Sequence, residues 1–176
     1  MLKRKQNNEP NHASRLAKVV TVVLLLIGVS LLAIVPWGCT TGQIRPRPDK
    51  YQKPFTMTMT VTGYCNCRKC CGWRFNWYGK PVIASGRNAG KPKKVGMTAS
   101  GTRAHPGTLA ADTSYYPFGT IIEIPGYGYG RVEDRGGAIK GQHVDAWFCS
   151  HDRAMKWGKK KVPVKVWLPK GYTRKR

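Results

Sequence analysis

A chain of 176 residues has room for one ordinary domain with some length left for a tail or an anchor. Its 31 Lys+Arg against 8 Asp+Glu leave a formal net charge of +23. Such a balance points to a polyanionic partner: nucleic acid, anionic lipid headgroups or an acidic cell-wall polymer. Residues 1–18 are a basic tail without a structural signal. Residues 19–37 read VVTVVLLLIGVSLLAIVPW, with no charge and with MLKRK, Arg15 and Lys18 before them. At about 1.5 Å per residue this run is long enough to cross a bilayer as a helix. The flanking cations favour a cytoplasmic N-terminus. An uncleaved, single-pass membrane anchor is therefore expected, with a cleaved signal peptide as the alternative. Trp37 before Gly38-Cys39 fits lipid attachment at Cys39 poorly. On this reading the rest of the chain lies outside the cytoplasm, periplasmic or extracellular, and nucleic acid is not an expected partner.

Residues 38–55 form a polar linker with three prolines, expected to hold a domain at 56–170 off the membrane. Residues 171–176 are a basic C-terminal tail. Within the domain, Met57, Met59 and Val61 alternate with Thr58, Thr60 and Thr62, the pattern of a half-buried strand. A loop rich in Cys, Gly and Lys follows, to about Val95. TIIEIPGYGYGRVED reads as a hairpin turning near Pro125-Gly126, and HVDAWF as another short strand. In SHDRAMKWG, Ser150 is a helix N-cap, Asp152 lies in the first turn and Gly158 ends the helix. VPVKVWL places Val162, Val164, Val166 and Leu168 on one face. Five or six short strands and one short helix make the expected fold class mainly β, a compact β-barrel.

Cys65, Cys67, Cys70 and Cys71 form C-x-C-x-x-C-C, and Cys149 lies far downstream. The spacing of Cys67 and Cys70 is that of half a zinc site. The alternative is disulfide bonding in an oxidising compartment, and export favours it. The expectation is thus disulfides among these five cysteines, with no metal and no cofactor.

Three of the eight acids, Glu133, Asp134 and Asp145, crowd into VEDRGGAIKGQHVDAWF. A lone Asp beside glycines is ordinarily a turn or cap residue, and that reading suits Asp112 or Asp134 taken singly. Asp145 is different, because it sits mid-strand among Val144, Ala146, Trp147 and Phe148, where an acid needs a partner or a task. An aspartic protease is excluded, since it needs Asp-Thr/Ser-Gly twice, whereas the triplets here are Asp112-Thr-Ser and Asp134-Arg-Gly.

From TASGTRAHPGTLAADTSYYPFGT through VEDRGGAIKGQHVDAWFCSHDRAMKWG to VPVKVW, the chain resembles the 3D domain, named for three aspartates. That domain is shared by membrane-bound lytic transglycosylase A and small bacterial wall-remodelling proteins. Asp112, Asp134 and Asp145 match its aspartates, and VTGYCNCRKCCG looks like the opening of many exported members. The resemblance implies a six-stranded double-psi β-barrel. It also implies lytic cleavage of the β-1,4 bond between N-acetylmuramic acid and N-acetylglucosamine in peptidoglycan glycan strands, leaving a 1,6-anhydro end. The family's catalytic acid/base falls on Asp145, with Asp134 and Asp112 lining or supporting the cleft. Thr98 and Ser100 fall on a T-x-S/T-G segment near the family's site, and Lys140, in GGAIKG, and Tyr64 complete the candidate substrate contacts. The rival expectation is an expansin-like module that binds or loosens the wall without cleaving it.

Overall fold

The computed structural model describes residues 44–173. The expected basic tail, the membrane anchor, residues 38–43 with Cys39, and residues 174–176 lie outside the described residues. Among the described residues no helix is long and apolar enough to cross a membrane.

Ten elements follow one another: β1 (Phe55–Tyr64), α1 (Arg68–Cys71), β2 (Trp73–Phe75), β3 (Pro81–Ile83), β4 (Thr108–Ala111), β5 (Ile121–Ile124), β6 (Gly128–Asp134), β7 (His143–Trp147), α2 (His151–Trp157) and β8 (Lys160–Trp167). Six of the strands close into a barrel in the order β1-β7-β4-β6-β5-β8. Two pairings are parallel, β1 with β7 and β4 with β6; the other four are antiparallel. Closure leaves the barrel without a free edge, the usual hazard of a small β domain.

Period-2 patterning fills the barrel. Met59 and Val61 of β1, Val144 and Ala146 of β7, and Val164 and Val166 of β8 are all buried in one apolar cluster. Each large aliphatic side chain removed from water there contributes about 1.5–3 kcal/mol. The expected strand near residue 57, the hairpin around Pro125-Gly126, the HVDAW strand and the closing strand are all present, and Ser150 caps α2 by accepting from the Arg153 N–H at 3.3 Å. Two features lie beyond what the sequence reading describes. β4 has no alternation, because all four residues of TLAA are buried. The expected Cys/Gly/Lys loop is also partly ordered, into the single turn α1 and the two-stranded sheet β2–β3.

Two glycines permit close approaches. A Cβ on Gly63 would stand 2.9 Å from the Phe148 ring and 3.0 Å from the Ala154 carbonyl oxygen, so β1 and α2 meet only because none is there. A Cβ on Gly130 would lie 2.5 Å from Leu109 Cγ. Outside the barrel, the segment before β1 is fastened down: Gln52 Nε2 donates to the Pro169 and Tyr172 carbonyls at 2.9 and 2.6 Å, and Tyr172 Oη donates to the Ser114 carbonyl at 2.7 Å.

Candidate functional site

Four strands carry one row of facing residues. Thr62 of β1 pairs with Asp145 of β7, Asp145 with Ala110 of β4, and Ala110 with Asp134 of β6. Their sequence neighbours Val61, Val144 and Leu109 point into the core, so the row lies on the outer face of the barrel. Two strand spacings separate the backbones of the two acids, about 9–10 Å, and the small Ala110 side chain leaves the floor between them open. Asn66 before α1, Cys70 and Cys71 within it, the 93–104 segment and the loop after Asp134 wall this face into a cleft of about 460 Å³ that includes Tyr64, Thr98, Ala110, Asp134 and Asp145.

The register of β6 brings Asp134 here. Leu109 faces Val132, but Ala110 faces Asp134, so Glu133 is the extra residue of a bulge. Glu133 is buried instead, accepting from Thr108 Oγ1 at 2.8 Å and lying 3.3 Å from His105 Nε2. Without the bulge, Ala110 would face Glu133.

The two cleft acids have unlike surroundings. Burial pushes the Asp145 carboxyl up to about 6, with the Asp134 charge adding to the rise and a hydrogen bond from Thr62 opposing it. That bond, Thr62 Oγ1 to Asp145 Oδ1, is 2.8 Å long. Thr62 Oγ1 also lies 2.9 Å from His143 Nε2, so a hydroxyl that donates to Asp145 accepts from an Nε2–H imidazole. Burial, then the Lys159 charge, holds His143 below its ordinary value, which keeps the ring neutral. Asp134, by contrast, accepts three hydrogen bonds: from the Ala99 and Arg135 N–H groups, both at 2.9 Å, and from Tyr64 Oη at 3.3 Å. Burial and the Asp134 charge raise the Tyr64 phenol well above its ordinary value, so it remains a donor.

The third aspartate stands apart. Asp112 does not line this cleft but a neighbouring hollow of about 300 Å³, across the Arg135–Ile139 loop, together with Lys140. It accepts from Ser114 Oγ at 2.6 Å and from the Gly141 N–H at 3.0 Å, and these bonds, the serine's first, hold its carboxyl below the usual range. Such a carboxylate clamps the GGAIKG loop. Of the remaining sequence candidates, Tyr64 and Thr98 reach the cleft, while Ser100 is exposed. Thr98 Oγ1 is taken up within its own turn, 3.0 Å from Ser100 Oγ and from the Thr102 carbonyl. Sequence reasoning missed Thr62, His143 and the cleft-wall cation Lys93. Thr62 was accessible in principle, as the polar face of an alternating strand.

The cysteines correct an expectation. Among the described residues no disulfide forms: Cys65, Cys67, Cys70, Cys71 and Cys149 are all free. The Sγ atoms of Cys65 and Cys70 are 3.8 Å apart, against about 2.05 Å for a bond. Cys149 is exposed on the connection into α2 and Cys71 Sγ donates to the Cys65 carbonyl at 3.1 Å. Cys65, Cys67 and Cys70 converge instead on His151, their four donor atoms all within 4.8 Å of one another. A candidate metal-ligand set therefore exists where none was expected.

Residues 107–169 match the 3D domain family, so the resemblance read from the three aspartates is borne out over that stretch. Two proteins of Bacillus subtilis (strain 168) are similar in sequence. The putative cell wall shaping protein YabE is 32% identical over 102 residues, 48% of this chain and 25% of the relative. The cell wall-binding protein YocH is 37% identical over 89 residues, 48% of this chain and 31% of the relative. The chain thus spans about a quarter to a third of the length of these relatives. Among solved structures, the lytic transglycosylase MltA of Escherichia coli overlaps with a TM-score of 0.36 at 25% identity, over 47% of this chain and 30% of that one.

Proposed function

We propose that the barrel is a lytic transglycosylase acting on peptidoglycan glycan strands outside the cytoplasm, held at the membrane by residues 19–37. We read its two parallel pairings as the crossings of a double-psi barrel. The observation that carries the proposal is the cleft pair: Asp145, with a carboxyl near 6, faces a hydrogen-bonded Asp134 across the methyl of Ala110. The 3D domain match and the wall-related names of the two Bacillus relatives support the substrate class.

One carboxyl group suffices for this reaction. Protonated Asp145 gives its proton to the glycosidic oxygen as the bond from C1 of N-acetylmuramic acid to that oxygen breaks. The C6 hydroxyl of the same sugar attacks C1, forming the 1,6-anhydro ring and passing its proton to the Asp145 carboxylate. Atoms balance without water and the acid is regenerated. The attack is intramolecular, so little entropy is lost. Positive charge grows on the ring during bond breaking, and the Asp134 carboxylate across the cleft stabilises it. Thr62 holds Asp145 in place. Asp112 supports the site at one remove, through the loop after Asp134.

The test is mass analysis of the products released from purified sacculi. Wild type should release muropeptides ending in 1,6-anhydro-N-acetylmuramic acid, each lighter by one water than a hydrolysed end, at a rate that falls above about pH 6 as Asp145 loses its proton. Asp145→Asn should release none and still bind sacculi. Ordinary reducing ends would instead mean that a carboxylate activates water. A second reading, wall binding without cleavage, draws on the name of the cell wall-binding relative. Good sacculus binding with no products from wild type would establish it.

A further inference from the structure

We propose that Cys65, Cys67, Cys70 and His151 bind one zinc ion as a closed structural site that fastens the α1 loop to the N-terminus of α2. The donor spacing carries this assignment. With zinc–sulfur bonds of about 2.3 Å and zinc–nitrogen bonds of about 2.05 Å, a regular tetrahedron has sulfur–sulfur edges of about 3.8 Å and sulfur–nitrogen edges of about 3.6 Å. In this protein Cys65 Sγ to Cys70 Sγ is 3.8 Å. Cys67 Sγ and Cys70 Sγ each lie 3.5 Å from His151 Nδ1.

Local structure aims each ligand. Cys67 is the N-cap of α1, and its Sγ accepts the Cys70 N–H at 3.4 Å, a bond that orients the sulfur and favours its thiolate form. The single turn of α1 brings Cys70 beside Cys67, and Gly72 ends it with left-handed backbone. Cys65 is buried at the end of β1. His151 arrives from a position more than 80 residues downstream, fixed by the Ser150 cap of α2. The other two described cysteines are excluded from the set, Cys71 by its hydrogen bond to the Cys65 carbonyl and Cys149 by its absence from the cluster.

The donor chemistry selects the ion. Three thiolates and an imidazole are soft and borderline ligands, which suit zinc, whereas calcium and magnesium take oxygen. Four protein ligands leave no position for water or substrate, so the site is structural, not catalytic. Its consequence for the cleft is mechanical. Tyr64 and Asn66 flank the ligand Cys65; Tyr64 Oη bonds Asp134, and Asn66 Oδ1 accepts from Trp147 Nε1 at 2.9 Å. The ion would thus hold the cleft wall that carries Asp134's phenolic donor. The assignment does not depend on what the cleft acts on.

The full chain, extracted in detergent without chelator or added metal, should carry one zinc per chain by elemental analysis. Cobalt substituted for zinc should give the intense visible bands of a tetrahedral thiolate site. Cys67→Ser and His151→Gln should each lose the stoichiometric zinc, while Cys71→Ser and Cys149→Ser keep it. Should the ligand variants fail to fold, alkylation of wild type decides: Cys65, Cys67 and Cys70 should be protected from iodoacetamide until a strong chelator is added, and Cys149 should react at once. Non-reducing peptide maps that join any of the three ligand cysteines in a disulfide would overturn the proposal. So would a metal content near zero, one equivalent of a different metal, or a zinc content unchanged in both ligand variants.

Discussion

Asp145 is placed where a charged carboxylate is costly, and the cost has a definite pH dependence. Its carboxyl titrates near 6 in the folded chain and near 3.9 when unfolded. Below about pH 4 it is protonated in both states, and folding is not penalised. Between about pH 4 and pH 6 the unfolded chain releases this proton to water while the folded chain keeps it, so about 2–3 kcal/mol of stability is lost across that window, and above it the folded chain holds a buried charge. Asp145→Asn has no such titration, and its amide oxygen can still accept from Thr62. The stability of the variant relative to wild type should therefore grow by about 2–3 kcal/mol between pH 4 and pH 7.5, read from urea midpoints at the two pH values. A difference that does not change with pH would remove the physical basis for Asp145 as the acid. On the proposed function, an acid that weakens its own fold is the expected trade of stability for activity.

The contact of β1 with α2 depends on one missing side chain. Gly63→Ala would place a methyl 2.9 Å from the Phe148 ring and 3.0 Å from a backbone oxygen of α2. The ring can shift, but the helix carbonyl cannot without moving His151 and the α2 cap. Overpacking of this kind costs about 1–3 kcal/mol, and equilibrium unfolding should show it. Gly137→Ala is the matched control, since a Cβ there meets nothing within 4 Å. Equal destabilisation by both changes would mean that backbone freedom, not contact, sets the need for glycine at 63. Much at this scale was legible in the sequence. β1 and β8 announce themselves by alternation, β5 and β6 by the Pro125-Gly126 turn, and α2 by its serine cap. What stayed hidden has physical reasons. β4 is buried on both faces, so its residues do not alternate. The bulge at Glu133 decides which of two adjacent acids joins Asp145, and no local pattern marks it. His151 meets the cysteines only through the parallel pairing of β1 with β7, which carries the start of α2 to the end of β1.

At the scale of the whole molecule the formal charge of +23 bears on how the protein would meet a wall under the proposed function, and its effect would separate from the chemistry of the cleft. Much of the charge is presented at the surface, and some of it is held in place: Lys160 Nζ lies 3.8 Å from the Trp157 ring centroid and Lys165 Nζ 5.5 Å from that of Trp167. Peptidoglycan carries stem-peptide carboxylates and accompanies other anionic polymers, so a basic domain accumulates on it through long-range attraction. Such attraction is screened by salt, since the Debye length falls from about 10 Å at 0.1 M to about 3 Å at 1 M. In the proposed reaction Asp145 and Asp134 act at contact distance within a partly buried cleft, where screening is weak. Raising sodium chloride from 0.05 to 0.5 M should therefore lower sacculus retention and the rate at limiting sacculus. The rate at saturating sacculus should stay nearly constant. Co-sedimentation and initial rates of muropeptide release at the two salt concentrations measure both quantities. Retention that ignores salt would mean that the Lys-rich runs KPKK at 91–94 and KKK at 159–161 are only solvated surface, and any grip on the wall would then rest with the cleft alone.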